Sequence, residues 1–210
     1  TKAVLKETAV QGEAWLELAL IYQHLYGDFE KAKECYEKAI SIARDEDTKE
    51  LARIRNAALA ELETYREKLG LAFFHPDSAD SLDSAQTVDS LSAAPGSSMD
   101  RHILRYKMGE VFWLRLEEPD SALRHFDYIT ADTTTSDTLY TQALYARAWI
   151  RLHMKQDTAT SDSLFTIIID ANPSSLFAKR SQAEMGVPVT IQTREDSAQR
   201  AYIEAEQLYA

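Results

Sequence analysis

A helix-turn-helix pattern recurs along this chain, and recurrence of one supersecondary unit restricts the fold to a row of stacked helices. The fullest copy reads Ala14-Trp15-Leu16-Glu17-Leu18-Ala19-Leu20-Ile21-Tyr22, then Gly27-Asp28-Phe29-Glu30-Lys31-Ala32, then Tyr36 and Ala39. From about Gly12 to Tyr26 the apolar residues Trp15, Leu18, Ala19, Tyr22 and Leu25 fall at helical spacing. Gly27 ends that helix, because glycine takes the left-handed conformation of a C-terminal cap without strain. Asp28 offers a carboxylate to the free amides of a second helix, 29 to about 43, whose stripe is Ala32, Tyr36, Ala39 and Ile40. Helices joined by so short a turn pack antiparallel.

A third helix is expected from Thr48, as its cap, to Leu69, with Gly70 closing it. Its predicted core face is Leu51, Ile54, Ala58, Leu62, Tyr65 and Leu69, which would cover the first pair. Residues 1–70 thus form one repeat plus a covering helix. Residues 71–100 change character: Ser, Asp, Ala, Gly and Pro dominate, and no Lys or Arg occurs between Lys68 and Arg101. Low hydrophobicity with one-signed charge marks a flexible insertion or linker.

Residues 101–188 hold two weaker copies. One runs over about 101–116 and 120–129, where Met108, Gly109 and Phe112 repeat the spacing of Leu18, Ala19 and Tyr22. Pro119-Asp120-Ser121 starts its second helix, with Ala122, Phe126 and Ile129 as the stripe. The other runs over about 138–154 and 160–170, with Tyr145, Ala146 and Trp149, then Ser161, Phe165 and Ile168. Pro173 blocks its continuation. A further helix is expected over 176–185. Residues 189–210 are expected to be a linker and, from about Asp196, the start of another repeat helix that is cut off.

These positions resemble the tetratricopeptide repeat family. Its first helix carries Trp, Leu, Gly and Tyr, where this chain has Trp15, Leu18, Ala19 and Tyr22. Its second carries Ala, an aromatic and Ala, where Ala32, Tyr36 and Ala39 stand; the family's terminal proline is matched by Pro173. Arg105 and Gln142 replace the first Trp in the later copies, and Ser161 replaces Ala. All three turns are longer than the family's usual one. The resemblance implies an all-α, right-handed superhelical stack of antiparallel helix pairs. The long turns, the Pro-Asp-Ser-Ala starts and the Asn-Pro-Ser-Ser ending are similar to bacterial envelope repeat proteins, including outer-membrane assembly lipoproteins. That narrower likeness implies a periplasmic or outer-membrane-associated location.

No constellation for catalysis is present in the sequence. His24, His75, His102, His125 and His153 are scattered without partners at metal-ligand spacing, and His125 reads as a helix-surface residue. Gly-rich phosphate loops and nucleophile elbows are missing. Cys35, the only cysteine, sits where a small buried residue is expected, so neither disulfide nor thiolate cage can form. The net charge of −11 argues against nucleic acid and anionic membrane surfaces. No apolar run approaches the ~20 residues of a membrane-spanning helix. The chain opens without Met and reads as a piece of something longer, so the lack of a targeting segment carries no weight. The expectation is a non-enzyme with no cofactor and no metal.

In repeats of this kind the first helices resemble the lining of a concave groove. On that resemblance the lining would be Leu16, Leu20 and Gln23 in the first pair, Tyr106, Glu110 and Trp113 in the second, and Arg147, Ile150 and Arg151 in the third. Two readings of Trp113 stand: an aromatic anchor for a peptide, or packing under the insertion or a neighbouring repeat. Arg147 and Arg151, one turn apart, either grip a partner's carboxylate or balance Glu110 and nearby acids. The Lys and Asn clamp by which some members read a C-terminal carboxylate has no counterpart. The implied function is a scaffold or adaptor holding a protein or peptide, the alternative being a recruiting or regulatory segment of a larger enzyme or envelope assembly machine.

Overall fold

The computed structural model describes residues 2–70 and 98–187. The expected insertion over 71–97 and the expected last helix over 196–210 lie outside the described residues. Within them the chain is helical throughout, with no strand. Helix α1 (Lys2–Ile21) runs into a π turn (Tyr22–Tyr26) and is followed by α2 (Phe29–Ile42) and α3 (Glu46–Leu69). Beyond the insertion come α4 (Ser98–Leu114), α5 (Pro119–Ala131), α6 (Asp137–His153), α7 (Thr158–Ala171) and α8 (Leu176–Glu184). Each helix packs against the next along the chain, and α1 with α3, α4 with α6 and α6 with α8 also touch. The expected all-α stack of helix pairs is what the chain forms, and α3 stands where the first helix of a following pair would.

Short polar side chains start the helices by taking up free amides. Asp28 accepts from the Lys31 amide at 3.0 Å, Asp157 from Thr160 at 3.1 Å and Ser175 from Ala178 at 3.0 Å. Thr48 is not the cap of α3. Asp45 is, accepting from both the amide and the hydroxyl of Thr48 at 2.8 and 2.9 Å. Pro119 opens α5, but neither Asp120 nor Ser121 caps it; Glu118 holds the cap position with its carboxylate turned elsewhere.

The turns inside the three pairs share one geometry. A residue of positive φ precedes each cap: Gly27 at 62°, Glu117 at 57° and Gln156 at 56°. The cap amide then donates back across the turn, Asp28 to the Tyr22 carbonyl at 2.9 Å, Glu118 to Phe112 at 2.8 Å and Asp157 to Arg151 at 2.8 Å.

This shared turn corrects the register of the third pair. Counting back from each cap by the same interval aligns Ala19 and Gly109 with Ala148, not with Ala146. Ala148 packs with Leu164, Phe165 and Ile168 of its own pair, whereas Ala146 and Ile150 join the core shared with the preceding helices. At the matching position of α4, a Cβ on Gly109 would sit 2.7 Å from the Phe126 ring, so the small residue sets the helix-to-helix distance.

Other expectations need correction. Gly12 does not begin a helix: α1 passes through it, and a Cβ there would lie 2.4 Å from the Ala43 Cα at the end of α2. The core face of α3 is Thr48, Ala52, Arg55, Ala58, Leu59 and Leu62, while Leu51 and Ile54 are exposed. Trp15 lies at the rim, half-buried, with the Lys38 ammonium 4.3 Å over its ring. Leu18, Tyr22, Tyr145 and Trp149 are likewise half-buried against the core. Pro173 is exposed past the end of α7 and packs against nothing in the core. The enclosed signature residues are Ala19, Ala32, Tyr36, Ala39, Met108, Gly109, Phe112, Ala122, Phe126, Ala146 and Phe165.

A left-handed conformation strains any residue with a Cβ by roughly 1–2 kcal/mol, and Gln156 bears that strain where the first pair has glycine. Gln156→Gly should raise stability by about 0.5–1 kcal/mol in a urea titration, the remainder being offset by unfolded-state entropy. An unchanged or lower midpoint would show that the turn is not strained.

Candidate functional site

The nine residues expected to line a groove do not share one environment. Leu16, Gln23 and Ile150 are interior, the last two at 1% and 0% exposure. They are structural residues of the stack and not part of an open lining. Leu20, Tyr106, Glu110, Trp113, Arg147 and Arg151 are half-buried.

Both arginines are already engaged. Arg147 pairs with Asp127 at 2.5 Å and donates to the Thr130 hydroxyl at 2.8 Å, which ties α6 to α5. Arg151 reaches Asp157 at 3.4 Å across its own turn. The corrected register explains this, because Arg147 and Arg151 align with Met108 and Phe112, which face the interior of the second pair. The positions of α6 that align with Tyr106, Glu110 and Trp113 are Tyr145, Trp149 and Leu152.

What the fold does bring together is an aromatic strip across α4 and α6. The Trp113 and Trp149 rings lie 5.1 Å apart, and His153 follows at 4.4 Å from Trp149. Trp113 also meets Phe126 edge-on at 6.4 Å, and Tyr106 meets Phe126 at 5.4 Å. Trp113 therefore packs against a neighbouring pair and still keeps part of its surface open. His153 bonds Glu184 of α8 at 2.8 Å, which carries the strip to the last helix. Partial burial raises the Glu110 carboxyl above the ordinary carboxylate range, with Lys107 opposing and Glu61 adding to the effect. On α3, the Tyr65 hydroxyl donates to Glu61 at 2.5 Å and that bond helps push its pKa up to about 12, while Arg115 pairs with the same carboxylate.

Gln23 has a different task. Its amide nitrogen donates to the Leu116 carbonyl at 2.9 Å, and its oxygen accepts from the Tyr36 hydroxyl at 2.6 Å. Arg55 donates to the same Leu116 carbonyl at 2.9 Å and pairs with Glu117 at 3.3 Å. His24 reaches Glu118 at 2.7 Å. Burial pushes the Tyr36 phenol up to about 12, so it remains a neutral donor. The end of α1, the middles of α2 and α3, and the turn before α5 are thus joined by one buried polar knot.

A second buried group lies between α4 and α5. His125 is not a surface residue: it is 8% exposed, stacked on Phe112 at 5.4 Å, and its Nδ1 has no partner. Burial, helped by Arg105, Arg124 and Arg66, lowers its pKa to about 3. Arg105, where the family's Trp would be, is buried with its guanidinium 4.7 Å over the Tyr128 ring. His102 is also enclosed and bonds Asp132 at 3.0 Å. Sequence reasoning missed Arg55, Arg105 and His102 as core residues, although each sits at helical spacing from buried neighbours. Cys35 is buried and free of any disulfide, and burial pushes its thiol up.

Among the described residues no three His, Cys, Asp or Glu side chains gather as a metal site, and no helix is long and apolar enough to cross a membrane. Residues 12–46, the first helix pair, match the family model for the tetratricopeptide repeat. No curated protein and no solved structure matches the chain.

Replacing Gln23 with Leu keeps bulk but strands the Tyr36 hydroxyl and removes one donor from the Leu116 carbonyl. Leaving buried groups unpaired costs about 1–3 kcal/mol each, so Gln23→Leu should lower stability by about 2–4 kcal/mol in denaturant melts. A loss below ~1 kcal/mol would mean that water replaces the knot.

His125 gives a pH signature. Its folded pKa lies below the unfolded value, so its neutral form stabilises the fold above pH ~6.5 and that stability drains away as pH falls toward 3. His125→Phe should flatten the slope of stability between pH 6.5 and 5, above the range where carboxylates dominate. An identical slope in the variant would place His125 in solvent.

Proposed function

We propose that this chain is a non-catalytic protein-protein interaction scaffold that holds a peptide or subunit along the first helices of its pairs. Tetratricopeptide repeats generally mediate protein-protein interactions, and the first pair matches that family. The observation that carries the reading is the Trp113–Trp149–His153 strip: rings from successive first helices in contact with one another, the two Trp half-buried and His153 exposed. Half-buried Trp supplies a rigid apolar surface at low entropic cost, which suits a binding hot spot. Hydrogen bonds at the margins, such as His153 with Glu184, hold the helices in place while the Trp rings stay available.

Panning a random dodecapeptide display library on the immobilised chain tests this. Recovered peptides should bind Trp149→Ala about tenfold or more weakly by fluorescence anisotropy, as expected for loss of an aromatic anchor. They should bind Ile167→Ser as they bind the parent, since Ile167 is an exposed residue of a second helix. Circular dichroism melts of both variants confirm that the helices persist. Binding lost with Ile167→Ser and kept with Trp149→Ala would move the site to the opposite side of the stack and overturn the reading.

A further inference from the structure

Glu110 sits one helical turn from both Tyr106 and Trp113, so the three side chains share one face of α4. Its half-buried carboxylate makes no ion pair or hydrogen bond among the described residues, and Lys107 acts on it only at a distance. The neighbouring acid Glu61, by contrast, is matched by Arg115 and Tyr65. A carboxylate withdrawn from water without a partner is costly, and here Glu61 adds a second negative charge close by. Tyr106 and Trp113 flank it on α4, and Tyr106 and, across on α3, Tyr65 lie close enough for its charge to raise their phenols. Rings attract a cation through their quadrupole, and an adjacent carboxylate supplies the charge-assisted bond.

We propose that this face of α4 receives a Lys or Arg side chain of the bound peptide, with the cationic head at Glu110 and its stem along Tyr106 and Trp113. The proposal rests on the interaction reading above and names the chemistry of the partner. Charge complementarity favours it over the alternatives. The chain carries a net charge of −11, and an acidic side chain placed here would meet both Glu110 and Glu61. A neutral side chain would leave the carboxylate unmatched and further desolvated.

The test uses the panning above. Peptides recovered on the parent chain should be enriched in Lys and Arg over the input library. For a recovered dodecapeptide, replacing its key Lys or Arg by Gln should weaken binding to the parent about tenfold, and replacement by Glu more than that. Glu110→Gln should abolish the difference between the basic and Gln-bearing peptides while keeping the affinity for the latter. It should melt no lower than the parent, since it removes an unmatched charge. Recovered peptides with no basic enrichment, yet sensitive to Trp149→Ala, would overturn the cation proposal and leave the scaffold reading standing. A basic preference that survives in Glu110→Gln would equally overturn it. Peptides that ignore Trp149 would sink the scaffold reading itself.

Discussion

The amide of Gln23 is the point on which the arrangement of helices turns. A stack held by apolar contact alone tolerates sliding, because burial energy is indifferent to direction. Hydrogen bonds are not. Gln23 and Arg55 both donate to the one carbonyl of Leu116, and Tyr36 donates to Gln23 in turn. Those bonds fix the first pair and α3 against the turn that begins α5. Everything farther along, including the relation of α4 to α6 and therefore the spacing of Trp113 and Trp149, is built outward from that fixed turn.

Much of the architecture could be read from residue types. Gly27 with Asp28, the Ala19–Ala32 pair and the Tyr36–Ala39 stripe encode one antiparallel pair by steric fit and capping, which are local properties. The third pair was harder. Tyr145-Ala146 and Trp149 imitate the first-helix motif, yet Arg151 and Asp157 close the turn and put Ala148 against Phe165. Small residues abound on α6 because both of its sides are buried, so composition there does not single out a register. Only the backbone bond across the turn does.

The candidate site was less legible, for a related reason. Motif spacing marks groove positions, and it misleads wherever a side chain has a bond to make in the interior. Gln23 is polar and looked available, but its amide serves the knot. For Arg147 and Arg151 the residue types leave two readings open, a grip on a partner or balance of nearby acids, and Asp127 and Asp157 are the acids that reach them. Arg105 and His125 look like surface residues in any hydropathy reading. One is sheltered by a Tyr ring and the other by a Phe ring. Polar groups in such places are visible only once their partners are known. Glu110 and Trp113 stand on the lining by the same spacing, and both are half-open, Glu110 without an ion pair among the described residues.

Gln23 and Leu116 are separated by 93 residues, with the whole insertion between them. Most other contacts join neighbours in sequence and can zip up as the polypeptide emerges. This one cannot, since its acceptor is synthesised long after its donor. The helices of the first pair therefore wait, with the Gln23 amide nitrogen lacking this acceptor, until the turn before α5 is made. Packing of the first pair is thus completed by a segment made later.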